Sequence, residues 1–133
     1  MNSLTITIAI PPADLAQNGR RNKFKKNRLA QASKNAAWTI TKSLMKPLGI
    51  AYRSWRGPVE VTCTFHFRVE RARDDDGAIS RVKWARDGIA LALGIDDTFF
   101  RVHPVVWGAR RDGSVDITLT PASVVLPVMG WIE

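Results

Sequence analysis

The sequence predicts an α+β domain in which one small mixed β-sheet packs with two helices. Three observations indicate this fold class. Residues 3–10 alternate apolar with polar or small side chains, which is the period of a half-buried strand. Residues 59–69 alternate in the same way, whereas residues 29–46 and 77–93 carry apolar side chains at helical spacing. Two further strand-like stretches follow, so the predicted order of elements is β-α-β-α-β-β.

Turn residues mark the ends of these elements. Proline or glycine follows the first strand and both helices, at Pro11, Pro12, Pro47, Gly49 and Gly94. The last two strand-like stretches are residues 102–109 and 114–120, and Asp112-Gly113 lies between them. Because Asp-Gly favours the turns that join adjacent antiparallel strands, these stretches are predicted to form a hairpin.

Length and composition are typical of one globular domain. The chain has 133 residues, of which 45% are hydrophobic and 24% charged, and we treat residues 1–133 as a single domain. No apolar run approaches the roughly 20 residues of a membrane span, and the N-terminus lacks the basic region of a signal peptide. The single cysteine, Cys63, excludes an intramolecular disulfide. We therefore expect a cytoplasmic protein with no membrane partner.

The net charge of +8 is unevenly distributed. Residues 1–57 contain eleven Lys or Arg and a single acid, whereas residues 58–101 contain seven Lys or Arg and eight acids. A strongly cationic region of this kind is typical of proteins that bind a polyanion, with nucleic acid as the first candidate and an anionic membrane as the second.

The cations are concentrated in a predicted basic loop at about residues 18–28, which we expect to be mobile without a ligand. Its candidate contacts to the DNA backbone are Arg20, Arg21, Lys23, Lys25, Lys26 and Arg28. A loop that only increases solubility is the alternative. Further along, Arg53, Trp55 and Arg56 alternate cation and aromatic, which suits a nucleic-acid surface, although Trp55 would equally suit the core.

Carboxylates collect on both sides of the second predicted helix. Asp74 and Asp76 precede it and Asp96 and Asp97 follow it, so an antiparallel return of the chain would bring the two groups together. A few carboxylates, with water and a substrate phosphate, suffice to hold Mg²⁺. Such an ion supports phosphodiester hydrolysis, and a nearby lysine such as Lys83 can stabilise the developing charge.

Each of these features also has a simpler interpretation. An acidic run before a helix often caps it, because the helix dipole favours negative charge there. Lys83 and Asp87 match an ordinary surface ion pair at (i, i+4) spacing, worth about 0.3–0.5 kcal/mol. Asp96 and Asp97 suit a plain loop. In a basic chain, the combination favours a metal-dependent nuclease.

The stretch RDDDGAISRVKWARDGIALALGIDD, residues 73–97, resembles the signature of the RusA family of Holliday-junction resolvases, which are small phage and prophage endonucleases. The family pattern is Asp-x-Asp-Asn, then a helix with a lysine and an Asp-Gly or Asp-Ala, then Gly-(Ile/Val)-x-Asp-Asp. The matching positions are Asp74, Asp76, Lys83, Asp87, Gly88, Gly94, Ile95, Asp96 and Asp97.

This resemblance implies a RusA-like fold and a homodimer, from a bacterial host or its prophage, that nicks two strands of a four-way or other branched DNA symmetrically. It implies Mg²⁺ as the cofactor, with Mn²⁺ as a substitute. Asp74, Asp76 and Asp97 would be catalytic metal ligands, with Asp96 adding to the set. Lys83 would be the catalytic lysine and Asp87 a supporting residue.

Other residues leave alternatives open. Arg73 and Arg81 flank the acids and are predicted either to contact DNA phosphates or to balance charge. Gly77 stands where the family usually has Asn, which favours a non-catalytic DNA- or RNA-binding phage protein with a vestigial acidic site. A protein-interaction module whose basic loop binds an acidic partner is a further alternative.

Overall fold

A computed structural model describes residues 3–12, 23–69 and 75–124, without the side chains of residues 75 and 76. Within these ranges the elements are β1 (Leu4–Ala9), α1 (Lys23–Met45), β2 (Trp55–His66), α2 (Asp75–Arg81), α3 (Lys83–Leu93), a 3₁₀ turn (Asp97–Phe99), β3 (Phe100–Val102), β4 (Val106–Trp107) and β5 (Ser114–Val124). None of these helices combines the length and the apolarity that crossing a membrane requires.

The strands form one mixed sheet in the order β1-β5-β2-β3, and β4 also pairs with β2. β5 is antiparallel to both of its neighbours, β1 and β2, whereas β3 and β4 run parallel to β2. The predicted α+β class with a single mixed sheet is therefore confirmed.

The strand register places apolar side chains on one face of the sheet. Ile6 and Cys63 both lie opposite Ile117, and all three are fully buried. The other face is polar, and there the hydroxyl groups of Thr5 and Thr118 form a hydrogen bond at 2.9 Å. Helical residues including Ala37 and Ile89 belong to the same buried cluster as the apolar face, so the helices cover that face.

Close contact between α1 and α3 depends on Gly88. A Cβ atom at Gly88 would lie 2.2 Å from the carbonyl oxygen of Lys34 and 3.2 Å from the backbone nitrogen of Trp38. No real side chain fits at such a distance from a backbone atom. The absence of a side chain at Gly88 therefore lets Asp87, its neighbour in α3, lie beside the Lys34 turn of α1.

The first helix begins at Lys23, so the prediction of a loop over residues 18–28 is wrong for residues 23–28. Residues 18–22 lie outside the described part of the chain. Lys and Arg are good helix formers, and neither Gly nor Pro interrupts residues 23–45. A high density of positive charge predicts an exposed surface, but it does not prevent a helix.

The predicted hairpin of residues 102–109 with 114–120 is wrong. β4 and β5 pair with opposite sides of β2, and residues 102–109 contribute only β4 and the end of β3. A turn is nevertheless present, since Gly113 has a φ of +76°. Alternation of side chains reports which face of a strand is buried, but not which strand lies beside it.

β2 begins at Trp55 rather than at the predicted Val59, and its pairing register shifts between Arg56 and Val59. Gly57 lies within this irregularity with a φ of +74°. Trp55 is buried, which places its ring in the core rather than on a nucleic-acid surface. A bulge of this kind breaks the alternation that sequence reasoning depends on.

The second predicted helix, residues 77–93, is present but divided at Val82 into α2 and α3. The backbone N–H of Val82 donates to the carbonyl of Ile79 at 3.1 Å, three residues back, in the pattern of a 3₁₀ turn. Asp76 and Asp87 therefore lie on separate helices, and a single continuous helical face does not connect them.

Candidate active site

The end of α3 positions Asp97. Gly94 adopts the left-handed conformation, with φ of +75°, and its N–H donates to the carbonyl of Ala90 at 2.9 Å. The N–H of Ile95 donates to the same carbonyl at 3.0 Å. This ending reverses the chain, so the 3₁₀ turn carries Asp97 back towards Asp87 on α3.

Asp87 and Asp97 form a carboxyl pair. Their side chains lie within hydrogen-bonding reach, and the side chain of Asp87 is 21% exposed. Burial, followed by the contact with Asp97, raises the pKa of Asp87, although the positive charges of Lys83 and Lys34 act in the opposite direction. Two ionised carboxylates at this separation repel, so the pair favours a proton or a cation.

An open pocket of about 170 Å³ lies beside this pair. Its lining residues are Lys83, Arg86, Asp87, Asp97, Phe100 and Val102. The Nζ of Lys83 lies 3.9 Å from Oδ2 of Asp87 and 4.5 Å from the centre of the Trp84 ring. Lys83 is 58% exposed, so its ammonium group is available to an anion that enters the pocket.

Arg86 supplies a second cation to the same pocket. Burial lowers the pKa of Arg86, whereas Cys63, Asp87 and Asp97 raise it. The Arg86 guanidinium group is thus partly removed from water and lies near the carboxyl groups of Asp87 and Asp97. The pocket therefore combines two carboxyl groups with two cations, an arrangement that can receive both a metal ion and a phosphate.

Asp96 has a structural contact. Its Oδ1 accepts a hydrogen bond from the N–H of Thr98 at 2.9 Å, which begins the 3₁₀ turn. The same bond is the main cause that lowers the pKa of Asp96. The loop interpretation thus accounts for one of its oxygens, and the role of Asp96 as a metal ligand stays a prediction.

The remaining predicted site residues are distributed as follows. Asp74, Arg20, Arg21 and Arg73 lie outside the described residues, as does the side chain of Asp76. The first turns of α1 carry Lys23, Lys25, Lys26 and Arg28. Arg81 donates from Nε to the carbonyl of Pro11 at 2.9 Å and lies over the ring of Phe67 at 5.6 Å. Both contacts of Arg81 lie within the protein, and its contact with DNA phosphates stays a prediction.

The donor set fits Mg²⁺. No group of three or more His, Cys, Asp or Glu suited to a metal ion occurs among the residues that the structure describes. Asp87 and Asp97 nevertheless provide two adjacent carboxylates, and Mg²⁺ in enzymes is commonly bound by one or two carboxylates, waters and the substrate phosphate. Burial, and then the contact with Asp97, raise the pKa of Asp87, and a cation at the pair would act in the opposite direction.

The histidine at the end of β2 is structural. The Nδ1 atom of His66 accepts from the N–H of Arg110 at 3.2 Å, and its Nε2 lies 3.1 Å from Oδ2 of Asp116. Arg110 also donates to both oxygens of Asp116. Both nitrogens of the His66 ring are thus satisfied within the fold, away from the pocket.

Comparison with known proteins identifies a relative but no activity. No protein-family model matches the chain. A protein of Xylella fastidiosa strain Temecula1, described as an uncharacterized protein, is 30% identical over 122 residues, which cover 87% of this chain and 75% of the relative. The chain belongs to the same family as this Xylella fastidiosa protein. The description of the Xylella protein names no activity, so the resemblance to resolvases rests on the motif residues.

In this relative of the Xylella fastidiosa protein, sequence reasoning missed Lys34, whereas Arg86 was grouped with the arginines around the acids that either receive phosphates or balance charge. Asp87 was assigned a supporting role, which stays a prediction, and the structure brings its carboxyl group to that of Asp97. Gly88 was the sequence signal that α3 packs closely against another element at this point, because a glycine inside an apolar helix indicates close packing. Nothing in the local sequence of α1 indicates that Lys34 would face the site.

Proposed function

We propose that this protein is a Mg²⁺-dependent, structure-selective DNA endonuclease of the Holliday-junction resolvase type, which nicks branched DNA symmetrically as a homodimer. The observation that carries the proposal is the carboxyl pair of Asp87 and Asp97 beside Lys83 in an open pocket. The resemblance of residues 73–97 to the RusA family also supports it, since the motif includes the same Lys83, Asp87 and Asp97.

The chain's own residues have distinct roles in this proposal. Asp97 and Asp87 would hold Mg²⁺, together with Asp74 and Asp76 as the motif implies. When bound, Mg²⁺ supplies electrophilic stabilisation of the scissile phosphate. Lys83 donates hydrogen bonds to phosphate oxygens as negative charge develops on them. Arg86 offsets the charge of the two carboxyl groups.

The charge distribution supports a nucleic-acid substrate. α1 carries six Lys or Arg and no acid along its 23 residues. Phosphate contacts from such a surface provide affinity and salt dependence rather than base recognition. A substrate chosen by its branched shape, with contacts mainly to the backbone, is consistent with this surface.

The decisive experiment is cleavage of an end-labelled synthetic four-way junction with Mg²⁺ or Mn²⁺. We expect paired nicks near the crossover from the wild type, and a loss on the order of 10²-fold or more with Asp97→Asn or Asp76→Asn. Asp112→Asn is the matched control, because it removes a carboxylate in the turn before β5. Equal cleavage by Asp97→Asn and the wild type would overturn the assigned site. Light scattering measures the molar mass in solution and so tests the proposed homodimer.

A non-catalytic DNA- or RNA-binding protein is the second candidate, and Gly77 is the residue that favours it. Gly77 lies inside α2, which begins at Asp75, and there Gly is a weaker helix former than the Asn of the family pattern and has no side chain to orient a carboxylate. Tight junction binding without cleavage by either metal, and no thermal stabilisation by Mg²⁺ or Mn²⁺, would select this candidate.

A further inference from the structure

Four side chains form a cation–aromatic cluster on α1 and the segment before β2: Trp38, Lys42, Tyr52 and Arg53. The Nζ of Lys42 lies 5.8 Å from the centre of the Trp38 ring and 4.7 Å from that of Tyr52. The guanidinium carbon of Arg53 lies 5.3 Å from the Tyr52 ring. Tyr52 is 51% exposed and Trp38 39%, so the cluster faces solvent.

The positive charge of the cluster is not balanced by acids. Residues 23–59 contain nine Lys or Arg and neither Asp nor Glu. Among the described residues, no ion pair joins Lys42 or Arg53 to a carboxylate. Aromatic rings attract cations through their electron-rich faces and restrict them without neutralising them. The cluster thus holds two oriented positive charges that an external anion can reach.

The cluster continues from the candidate active site. Lys34, Trp38 and Lys42 are spaced at (i, i+4, i+8), so they share one face of α1 and extend about 12 Å along it. At one end, Lys34 acts electrostatically on Asp87. At the other end, a Cβ atom on Gly94 would lie 2.7 Å from both Tyr52 and Arg53. Cations and rings therefore line a path that runs alongside α3.

We propose that the cation–aromatic cluster binds the sugar–phosphate backbone of a DNA arm that leaves the active site. This inference rests on the proposed DNA endonuclease function. Lys42 and Arg53 each contact a phosphate, and Trp38 and Tyr52 hold the two cations in position and pack against the deoxyribose. Lys34 and Lys42, two turns apart on one face of α1, suit the repeating charges of a phosphate backbone, which each cation can contact in turn.

The test measures DNA affinity without catalysis. The dissociation constant of a fluorescent four-way junction is measured by anisotropy in EDTA over a range of NaCl concentrations. For duplex arms, each lost phosphate contact lowers the slope of log affinity against log salt by about 0.9. Lys42→Gln/Arg53→Gln should therefore lower the slope by about 1.8, and the charge-conserving variant Lys42→Arg/Arg53→Lys should restore it.

The matched control is Arg68→Gln/Arg111→Gln, which removes the same charge near the opposite end of β2 and should leave the slope at the wild-type value. If Lys42→Gln/Arg53→Gln keeps that slope while the wild type binds the junction, the cluster proposal is wrong and the endonuclease proposal stands. If the variant loses affinity for polyglutamate but not for DNA, the cluster serves an acidic protein instead. Absence of salt-dependent DNA binding by the wild type would reject both proposals.

Discussion

The carboxyl groups of Asp87 and Asp97 meet at the end of α3, within hydrogen-bonding reach of each other. The left-handed Gly94 reverses the chain between them, and the contact with α1 at Gly88 fixes the helix that carries Asp87. An acid pair in a partly buried position lowers the stability of the metal-free protein. A bound cation would relieve the repulsion within the pair, so the proposed metal dependence can be tested by stability as well as by cleavage.

In metal-free buffer, Asp87→Asn should stabilise the protein by less than about 1 kcal/mol, because Asp97 is exposed and solvent screens its charge. The pKa of Asp87 is raised above its unfolded value, so over the interval between the two values the native state binds more protons. The wild-type free energy of unfolding therefore falls as pH rises through that interval, and Asp87→Asn lacks this fall. Urea unfolding at several pH values with EDTA measures the difference. Parallel pH profiles would show that Asp87 is unperturbed.

Mg²⁺ should reverse the order of stability. A ligand that binds only the native state stabilises it by mass action, so the wild type should gain in melting temperature as Mg²⁺ is added. Asp87→Asn and Asp97→Asn should gain less, because each removes one carboxylate of the pair. Asp112→Asn, which leaves the pocket intact, should respond like the wild type. Thermal unfolding with increasing Mg²⁺ and with EDTA provides the measurement, and equal gains in all variants would place the metal elsewhere.

Gly88→Ala should destabilise the fold by about 1–3 kcal/mol, although alanine is the better helix former. The added Cβ would lie 2.2 Å from the carbonyl oxygen of Lys34, so the two helices must separate. Denaturant unfolding measures the loss. Leu91→Ala, at an exposed position of the same helix, is the control and should change stability little. An unchanged midpoint for Gly88→Ala would mean that the helix contact is adaptable.

Asp112 should contribute stability that is lost in acid. The hydroxyl group of Ser114 is the main cause that lowers the pKa of Asp112 to about 2. Because the folded pKa is depressed, the contribution is complete above the unfolded value of about 3.9 and disappears as pH falls towards about 2. Asp112→Asn should thus be less stable than the wild type near neutral pH, and the difference should shrink over that interval. Ser114→Ala removes the donor and should reproduce part of the effect in acid unfolding curves.

Native Cys63 should be unreactive towards a disulfide reagent such as DTNB. Burial raises the pKa of its thiol to about 11, despite the opposing effect of Arg86, and its side chain is inaccessible in the core. Thiolate is the reactive form, so modification must wait for unfolding. The rate at which DTNB releases its coloured product, measured with and without urea, tests this expectation of an unreactive thiol. Fast reaction of the native protein would indicate that the core face of β2 opens locally.

Side-chain periodicity was sufficient for the fold class and the buried face, because alternation along residues 59–65 directly reports burial. Periodicity could not identify strand partners, because β4 and β5 both pair with β2, which is distant from them in sequence. The start of α1 was missed because charge density was interpreted as a loop. Lys83 and Asp97 were found by residue type and motif. The contact of Asp87 with Asp97 depends on the turn at Gly94 and on the crossing of α1, neither of which has a local sequence signal.

The position of β5 between β1 and β2 determines when the chain can fold. Leu119 pairs with Leu4 on one side and with Val61 on the other, so the strand that joins the sheet is synthesised after both of its partner strands. During synthesis, the apolar face of β1 therefore stays exposed until β5 has left the ribosome. Such long-range pairing makes folding slow. Release of a chain that ends before Ser114 would leave β1 without its partner strand, so a nonsense mutation at or shortly before codon 114 should produce an aggregating fragment.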